Sequence, residues 1–260
     1  MQTAFGLAVS DAFYADVLDD DGRPELAVGR LPALSAADLA AIVAKIVAFE
    51  TAPATPWGQD LALLADSPDD GGDFTTDSDA MGAVLPAGRT VARIYADELG
   101  YDLARTSLRE AFAEGTRVIS YLGHGGFDRL SREGLLTSAQ VAEMANAERL
   151  PILFAGTCVA GEAGQPGKDC LAETLIRHTG GGCVAVWAPS TLAHNAQSRV
   201  LGARFLSALF DPANPRLGDA MLAAVREFLL AEPDTETARQ AAAAYNLLGD
   251  PATVPGLGRR

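Results

Sequence analysis

The sequence predicts an α/β protein, a three-layer αβα sandwich on a mostly parallel sheet. Two observations predict it. Short apolar, β-branched runs alternate along the chain with longer Ala- and Leu-rich segments of helical period. The runs are apolar at nearly every position, as strands covered on both faces are, rather than alternately apolar and polar. With 48% hydrophobic residues in 260, there is material for a sizeable buried core.

In chain order, a first short strand is expected at 26–28. Ser35 followed by Asp38 opens a helix over 36–49, whose Leu39, Ile42, Val43, Ile46 and Phe49 share one face. Strands follow at 61–65, 91–95 and 118–122. Thr137 caps a helix over 138–147, and a strand is expected at 152–155. Asp169 opens a helix over 170–179 that ends at Gly180-Gly181-Gly182. A strand at 183–187 and helices over 196–210, 217–230 and 237–247 complete the set. The acidic stretch 66–79, DSPDDGGDFTTDSD, reads as a solvated surface loop. The opening FGLAV reads as the inside of a strand, so the chain is expected to be a piece of a longer protein.

Charge removes several functions. Lys and Arg number 20 and Asp and Glu 34, a net of −14, which repels phosphate backbones and disfavours anionic membranes. Cys158, Cys170 and Cys183 are too few for a disulfide scaffold, and no CxxC or HExxH offers a metal site. No apolar run approaches membrane-spanning length.

Ligands of parallel sheets bind beyond the carboxyl ends of the strands. Two strand ends stand out there. RVISYLGHGG runs into Gly123-His124-Gly125-Gly126, and LPILFAGTC runs into Gly156-Thr157-Cys158. One helix between them makes the strands neighbours through a right-handed crossover, which sets His124 beside Cys158. An imidazole can take a thiol's proton and return it to a leaving amine. Gly125 N–H is then the natural oxyanion donor, with Cys158 N–H as a second.

With these motifs the chain resembles the gingipain-type cysteine peptidases of the caspase-like clan. The resemblance runs through SDAFYADV at 10–17, PELAVGRLP at 24–32, KIVAFE at 45–50, YLGHGG at 121–126 and TCVAGE at 157–162. It continues in CLAETLI at 170–176, APST at 188–191 and YNLLGDPA at 245–252. It implies a caspase-like fold and a cysteine endopeptidase with His124 and Cys158 as catalytic dyad, acting on protein or peptide substrates without a cofactor. It also implies secretion or display at a bacterial cell envelope within a larger multidomain chain. Residues 1–50 then belong to a smaller upstream subdomain or its connection, and 51–260 to the catalytic domain.

The resemblance gives the acidic stretch a second reading. Asp66, Asp69 or Asp70 would orient the His124 imidazole, and Asp77 or Asp79 would supply the charge of a pocket for Arg or Lys. His194, just beyond the strand at 183–187, would line that pocket. The aromatic that walls the family's pocket is missing, since this neighbourhood reads Leu192-Ala193-His194-Asn195-Ala196. Substrate preference therefore does not carry over.

Weaker signals resolve more simply. Asp19-Asp20-Asp21-Gly22 with Glu25 misses the full EF-hand spacing and reads as a turn, although related peptidases leave room for a structural calcium ion. Gly164–Lys168 fails as a phosphate loop. His178 near a helix end, and Cys170 and Cys183, read as structural. Two rivals stand beside the peptidase. An α/β-hydrolase esterase would need a glycine where Ala160 stands. A non-catalytic caspase-like binding or assembly module would keep the fold without needing both His124 and Cys158.

Overall fold

The computed structural model describes residues 1–3, 6–19, 21–52, 58–231 and 235–257. Its centre is a six-stranded sheet of Gln59–Ala65 (β1), Val91–Tyr95 (β2), Thr116–Leu122 (β3), Ile152–Gly156 (β4), Ala185–Pro189 (β5) and Tyr245–Leu248 (β6). The spatial order is β6-β5-β4-β3-β1-β2. All neighbours are parallel except β6, which runs antiparallel to β5 at one edge.

The helices are Ala36–Thr51 (α1), Phe74–Gly82 (α2), Tyr101–Glu114 (α3), Leu171–Arg177 (α4), Asn195–Leu209 (α5), Leu217–Ala231 (α6) and Glu236–Ala244 (α7). The crossover from β1 through α2 moves outward to β2, whereas those through α3 and α4 move back across the sheet. Right-handed connections in opposite directions put their helices on opposite faces. Accordingly α2, α5 and α6 pack together on one face, while α1 packs on α4 across the sheet. The strand residues Leu61–Ala65 and Ile152–Ala155 are all essentially inaccessible, as their unbroken apolarity requires.

Most expected elements are present, and the exceptions have local causes. The stretch 26–28 is not a strand. Arg30 instead makes a single parallel bridge outside β6, through Arg30 N–H to Leu247 O (2.8 Å) and Gly249 N–H to Arg30 O (2.9 Å). The helix expected over 138–147 stops after one turn, Ser138–Val141. Buried Asn146 ends it by bonding backbone elsewhere: its Nδ2 donates to Arg149 O (3.1 Å) and Gly182 O (3.0 Å), and its Oδ1 accepts Gly182 N–H (2.9 Å). The strand expected at 183–187 lies two residues later, at β5. The last expected helix ends at Ala244, and the apolar run behind it is the edge strand β6.

Two of these seven helices were not expected. α2 lies inside the acidic stretch, capped by Asp73, whose side chain accepts Thr76 N–H at 3.0 Å. α3 buries Ala104, Leu108 and Phe112, four residues apart. The N-terminal residues share the same core, to which Ile42 and Ile46 of α1 belong. Lys45 crosses from α1 to cap α4, its Nζ donating to Leu175 O (3.0 Å), Ile176 O (3.2 Å), His178 O (3.0 Å) and Gly181 O (2.6 Å). No helix of the described residues is long and apolar enough to cross a membrane.

Candidate active site

The strand order reverses direction between β1 and β3, and the crevice at their carboxyl ends is where such sheets bind ligands. Asp66 follows β1, His124 follows β3 and Cys158 follows β4, so three of the singled-out residues meet at this edge. Register sets the last two level. Leu122 pairs with Gly156 across β3 and β4, and His124 and Cys158 each stand two residues beyond that pair. Gly123 N–H to Gly156 O (3.3 Å) carries the pairing into the loops.

The His124 loop is anchored through its backbone. Asp66 is 2% exposed. It accepts His124 N–H (3.2 Å), Ser67 N–H (3.0 Å), Tyr101 OH (2.8 Å) and Ser131 Oγ–H (3.1 Å). Tyr121 OH donates to His124 O at 2.6 Å, and burial pushes this phenol well above its ordinary pKa, so it stays a donor. Gly123 has φ 155°, and a Cβ there would come within 2.4 Å of both Asp66 Cβ and the Tyr121 hydroxyl. Only glycine lets the strand turn out over this buried carboxylate.

The imidazole itself faces a different acid. His124 Nε2 lies 2.7 Å from Asp69 Oδ2, and the ring meets Phe74 edge-on with centroids 5.5 Å apart. Asp69 Oδ1 accepts Gly71 N–H at 2.7 Å, and that bond first, then the imidazole, holds the carboxyl below its usual pKa. Asp70 is exposed and has no bonded partner among the described residues.

After His124 the chain forms a tight ribbon, Gly125–Gly126 against Arg129–Leu130. Ser131 N–H donates to His124 O (2.7 Å), so that pair is hydrogen-bonded across the ribbon. Antiparallel pairs alternate, so the next pair, Gly125 with Leu130, is not. Gly125 N–H therefore points off the ribbon. Gly125 also abuts the Cys158 loop, since a Cβ there would lie 2.2 Å from Thr157 Oγ1.

Cys158 is half-buried, and its Sγ receives Ala193 N–H at 3.5 Å and lies 3.8 Å from Ala193 O. Val159 beside it has φ 48°, a left-handed conformation that β-branched residues rarely adopt, which marks strain where the Cys158 loop leaves the sheet. The other thiols differ: burial pushes Cys170 and Cys183 up to about 12. His178 packs with Nε2 2.8 Å from Met144 O.

The residues read as a basic-side-chain pocket are engaged internally. Asp77 accepts Asn195 Nδ2–H (2.6 Å) and pairs with Arg199 Nε (3.2 Å). Asp79 pairs with Arg93 Nε (2.6 Å) and accepts Tyr95 OH (2.8 Å), tying α2 to the edge strand β2, with the guanidinium holding its carboxyl below the usual range. His194 is exposed at the start of α5. Ala193, Tyr101 and Ser131 carried no signal in the sequence, because each acts through contacts with residues far away in the chain.

Away from this edge, carboxylate oxygens of Asp16, Asp21 and Glu25 lie within 4.8 Å of one another. They also serve the turn: Gly22 N–H donates to Asp16 (2.7 Å), Arg23 N–H to Asp21 (2.9 Å), and Val17 N–H to Glu25 (2.8 Å). Asp20, which shared the calcium reading, lies outside the described residues.

Comparison with known proteins places this geometry in context. The model of peptidase family C25 matches residues 2–256. No curated protein matches the chain. Among solved structures it is similar to the Arg-specific cysteine proteinase gingipain R, at 19% identity and TM-score 0.82 over 95% of this chain and 59% of that one. The complex of Porphyromonas gingivalis RgpB pro- and mature domains matches at 20% identity and TM-score 0.82, over 94% and 60%. Saccharomyces cerevisiae separase in its securin complex matches at 12% identity and TM-score 0.55, over 86% and 14%. The fold is thus the expected caspase-like αβα sandwich, and the chain spans about three fifths of the gingipain structures it matches.

Proposed function

The chain belongs to peptidase family C25, and on that footing we propose that it is a cysteine endopeptidase with Cys158 as nucleophile and His124 as general base and acid. The observation that carries the reading is the level placement of these two residues beyond register-paired strand ends, with Asp69 held against the imidazole Nε2.

The chemistry follows from the residues. With Nε2–H donating to Asp69, Nδ1 is the free acceptor and takes the thiol proton. The sulfur attacks the scissile carbonyl, and the carbonyl oxygen becomes an oxyanion that Gly125 N–H receives, with Cys158 N–H as second donor. His124 returns the proton to the departing amine, leaving a thioester on Cys158. Water then attacks the thioester while His124 removes its proton, and the acid product leaves with the thiol restored. No cofactor enters this sequence. On this reading the substrates are proteins or peptides and the enzyme is secreted or held at the cell envelope, as the sequence resemblance implies. A preference for basic residues would require Asp77 to release Asn195 and Arg199, or Asp79 to release Arg93 and Tyr95.

The test is covalent. A peptidyl acyloxymethyl ketone should modify Cys158, as mapped by mass spectrometry, and the modification should disappear in His124→Ala. Cys170 and Cys183 should stay unmodified, since burial keeps them as thiols at neutral pH. If Cys158 reacts no faster than the two buried thiols, or reacts equally well in His124→Ala, the proposal is wrong.

A further inference from the structure

We infer that Asn195, at the start of α5, is a positioning residue that sets the Cys158 thiol and the His124 imidazole at their working separation. It does so by tying the segment that touches the sulfur to the turn that carries Asp69. This rests on the peptidase reading above and deepens it, naming a residue outside the dyad on which the proton transfer depends.

On the thiol side, Ala193 presents its N–H to Cys158 Sγ at 3.5 Å, and its carbonyl oxygen lies 3.8 Å from the same sulfur. Asn195 follows two residues later and opens α5. On the imidazole side, Asp69 and Gly72 close a tight turn, each N–H donating to the other's carbonyl oxygen at 3.1 Å. Gly71 in that turn lies against both the acid and the ring. A Cβ there would be 3.0 Å from Asp69 Oδ1, 3.1 Å from His124 Cε1 and 3.3 Å from His124 Nε2. Gly72 lies against Asn195 instead, since a Cβ there would be 2.3 Å from Asn195 Nδ2 and 3.0 Å from its Cγ. The turn is thus clasped between the imidazole and the Asn195 amide. Because the amide touches the turn and the turn touches the ring, the place of Asn195 is passed on to Asp69, whose Oδ2 lies 2.7 Å from the imidazole Nε2.

Asn195 is itself held from α2. Its Nδ2 donates to Asp77 Oδ2 at 2.6 Å, and Asp77 also pairs at 3.2 Å with Arg199, one turn further along α5. The bond fixes which way the amide faces, because a flipped amide would turn its oxygen to a carboxylate. In this orientation Asn195 Oδ1 is buried with no hydrogen-bond partner among the described residues. A buried acceptor left unpaired costs stability, and such violations gather where a residue is kept for its place in a working site. The inference concerns the spacing of two reacting groups, so it holds for any side chain at P1.

The experiment follows alkylation of Cys158 by iodoacetamide from pH 5 to 9, mapped by mass spectrometry so that this thiol alone is counted. The reagent is small and has no P1 group, so it reports the thiol and its imidazole rather than substrate fit. A protonated imidazole held beside the sulfur favours the thiolate, so wild type should react at lower pH than His124→Ala. Asn195→Ala should move the profile toward that of His124→Ala and slow reaction at pH 7 about tenfold. An unaltered near-UV circular dichroism spectrum would show that this variant is folded. Asn195→Asp sets two carboxylates face to face and should have the same effect. Exchanging the pair, Asp77→Asn with Asn195→Asp, restores the hydrogen bond with donor and acceptor reversed and keeps a carboxylate one helical turn from Arg199. The exchanged protein should return the wild-type profile, a comparison that stands even if Asn195→Ala does not fold. A wild-type profile in folded Asn195→Ala, or an exchanged pair that reacts no better than Asn195→Asp alone, would overturn the inference and leave the peptidase reading intact. Identical profiles for wild type and His124→Ala would overturn both.

Discussion

Gly125→Ala tests the contact that joins the His124 and Cys158 loops. The added methyl would lie 2.2 Å from Thr157 Oγ1, 3.0 Å from its Cγ2 and 3.1 Å from its Cβ. The first distance is far inside contact, and the partner is short and buried, so the loops must part. Overpacking of this kind costs about 1–3 kcal/mol, offset by about 0.4–1 kcal/mol from the lower entropy of the unfolded alanine chain. The net expectation is a loss of about 1–2 kcal/mol. Thr157→Ala removes Oγ1 and Cγ2 and leaves only the 3.1 Å neighbour. That hydroxyl is buried without a partner, so its loss alone should cost under about 1 kcal/mol. Urea unfolding of the wild type, both single variants and the double variant closes the cycle. The two changes should couple favourably by about 1 kcal/mol or more. Additivity within about 0.5 kcal/mol would show that the loops do not meet where the structure has them.

Three further outcomes follow from the same loops. Asp66→Ala should destabilise by about 3 kcal/mol, since it strands several buried donors at once, whereas Asp69→Asn, at an exposed carboxylate, should lower the urea midpoint only slightly and lower the rate of Cys158 modification. Equal effects of the two would contradict the division between backbone anchor and imidazole partner. The pKa of Asp69 is depressed on folding, so its contribution is present above the ordinary carboxylate range and is lost as pH falls through the lowered value. Melting temperatures measured from pH 6 to 3 should therefore fall more steeply for wild type than for Asp69→Asn, and parallel curves would count against the bond. Val159→Gly relieves a left-handed conformation worth about 1–2 kcal/mol and removes a half-buried side chain, so it should be close to neutral; a loss above about 2 kcal/mol would mean that packing, not strain, dominates there.

The alternation of buried runs and amphipathic segments was readable because each depends on residues a few positions apart. Apolarity at every position of Leu61–Ala65 and Ile152–Ala155 already implied strands covered on both faces. Right-handed crossovers then required His124 and Cys158 to leave the same edge. The edge strand Tyr245–Leu248 was hidden because its apolar run suits a helix equally well, and only β5 and the bridge from Arg30 decide between them. The α2 cap at Asp73 and Thr76 was a local signal masked by the acidity around it.

The sequence by itself determined the layered architecture and brought a thiol and an imidazole to one crevice, since both follow from periodicity and chain connectivity. Only the tertiary structure decided which carboxylate serves which purpose. Asp66, Asp69 and Asp70 are alike in chemistry and nearly adjacent in the chain, and their roles differ through partners such as Tyr101, Ser131 and His124. Asp77 likewise has Arg199, more than a hundred residues later, against it, a partner that no local pattern signalled. A carboxylate's role is set by what faces it, and in a sheet of crossovers that partner is usually far away in the chain.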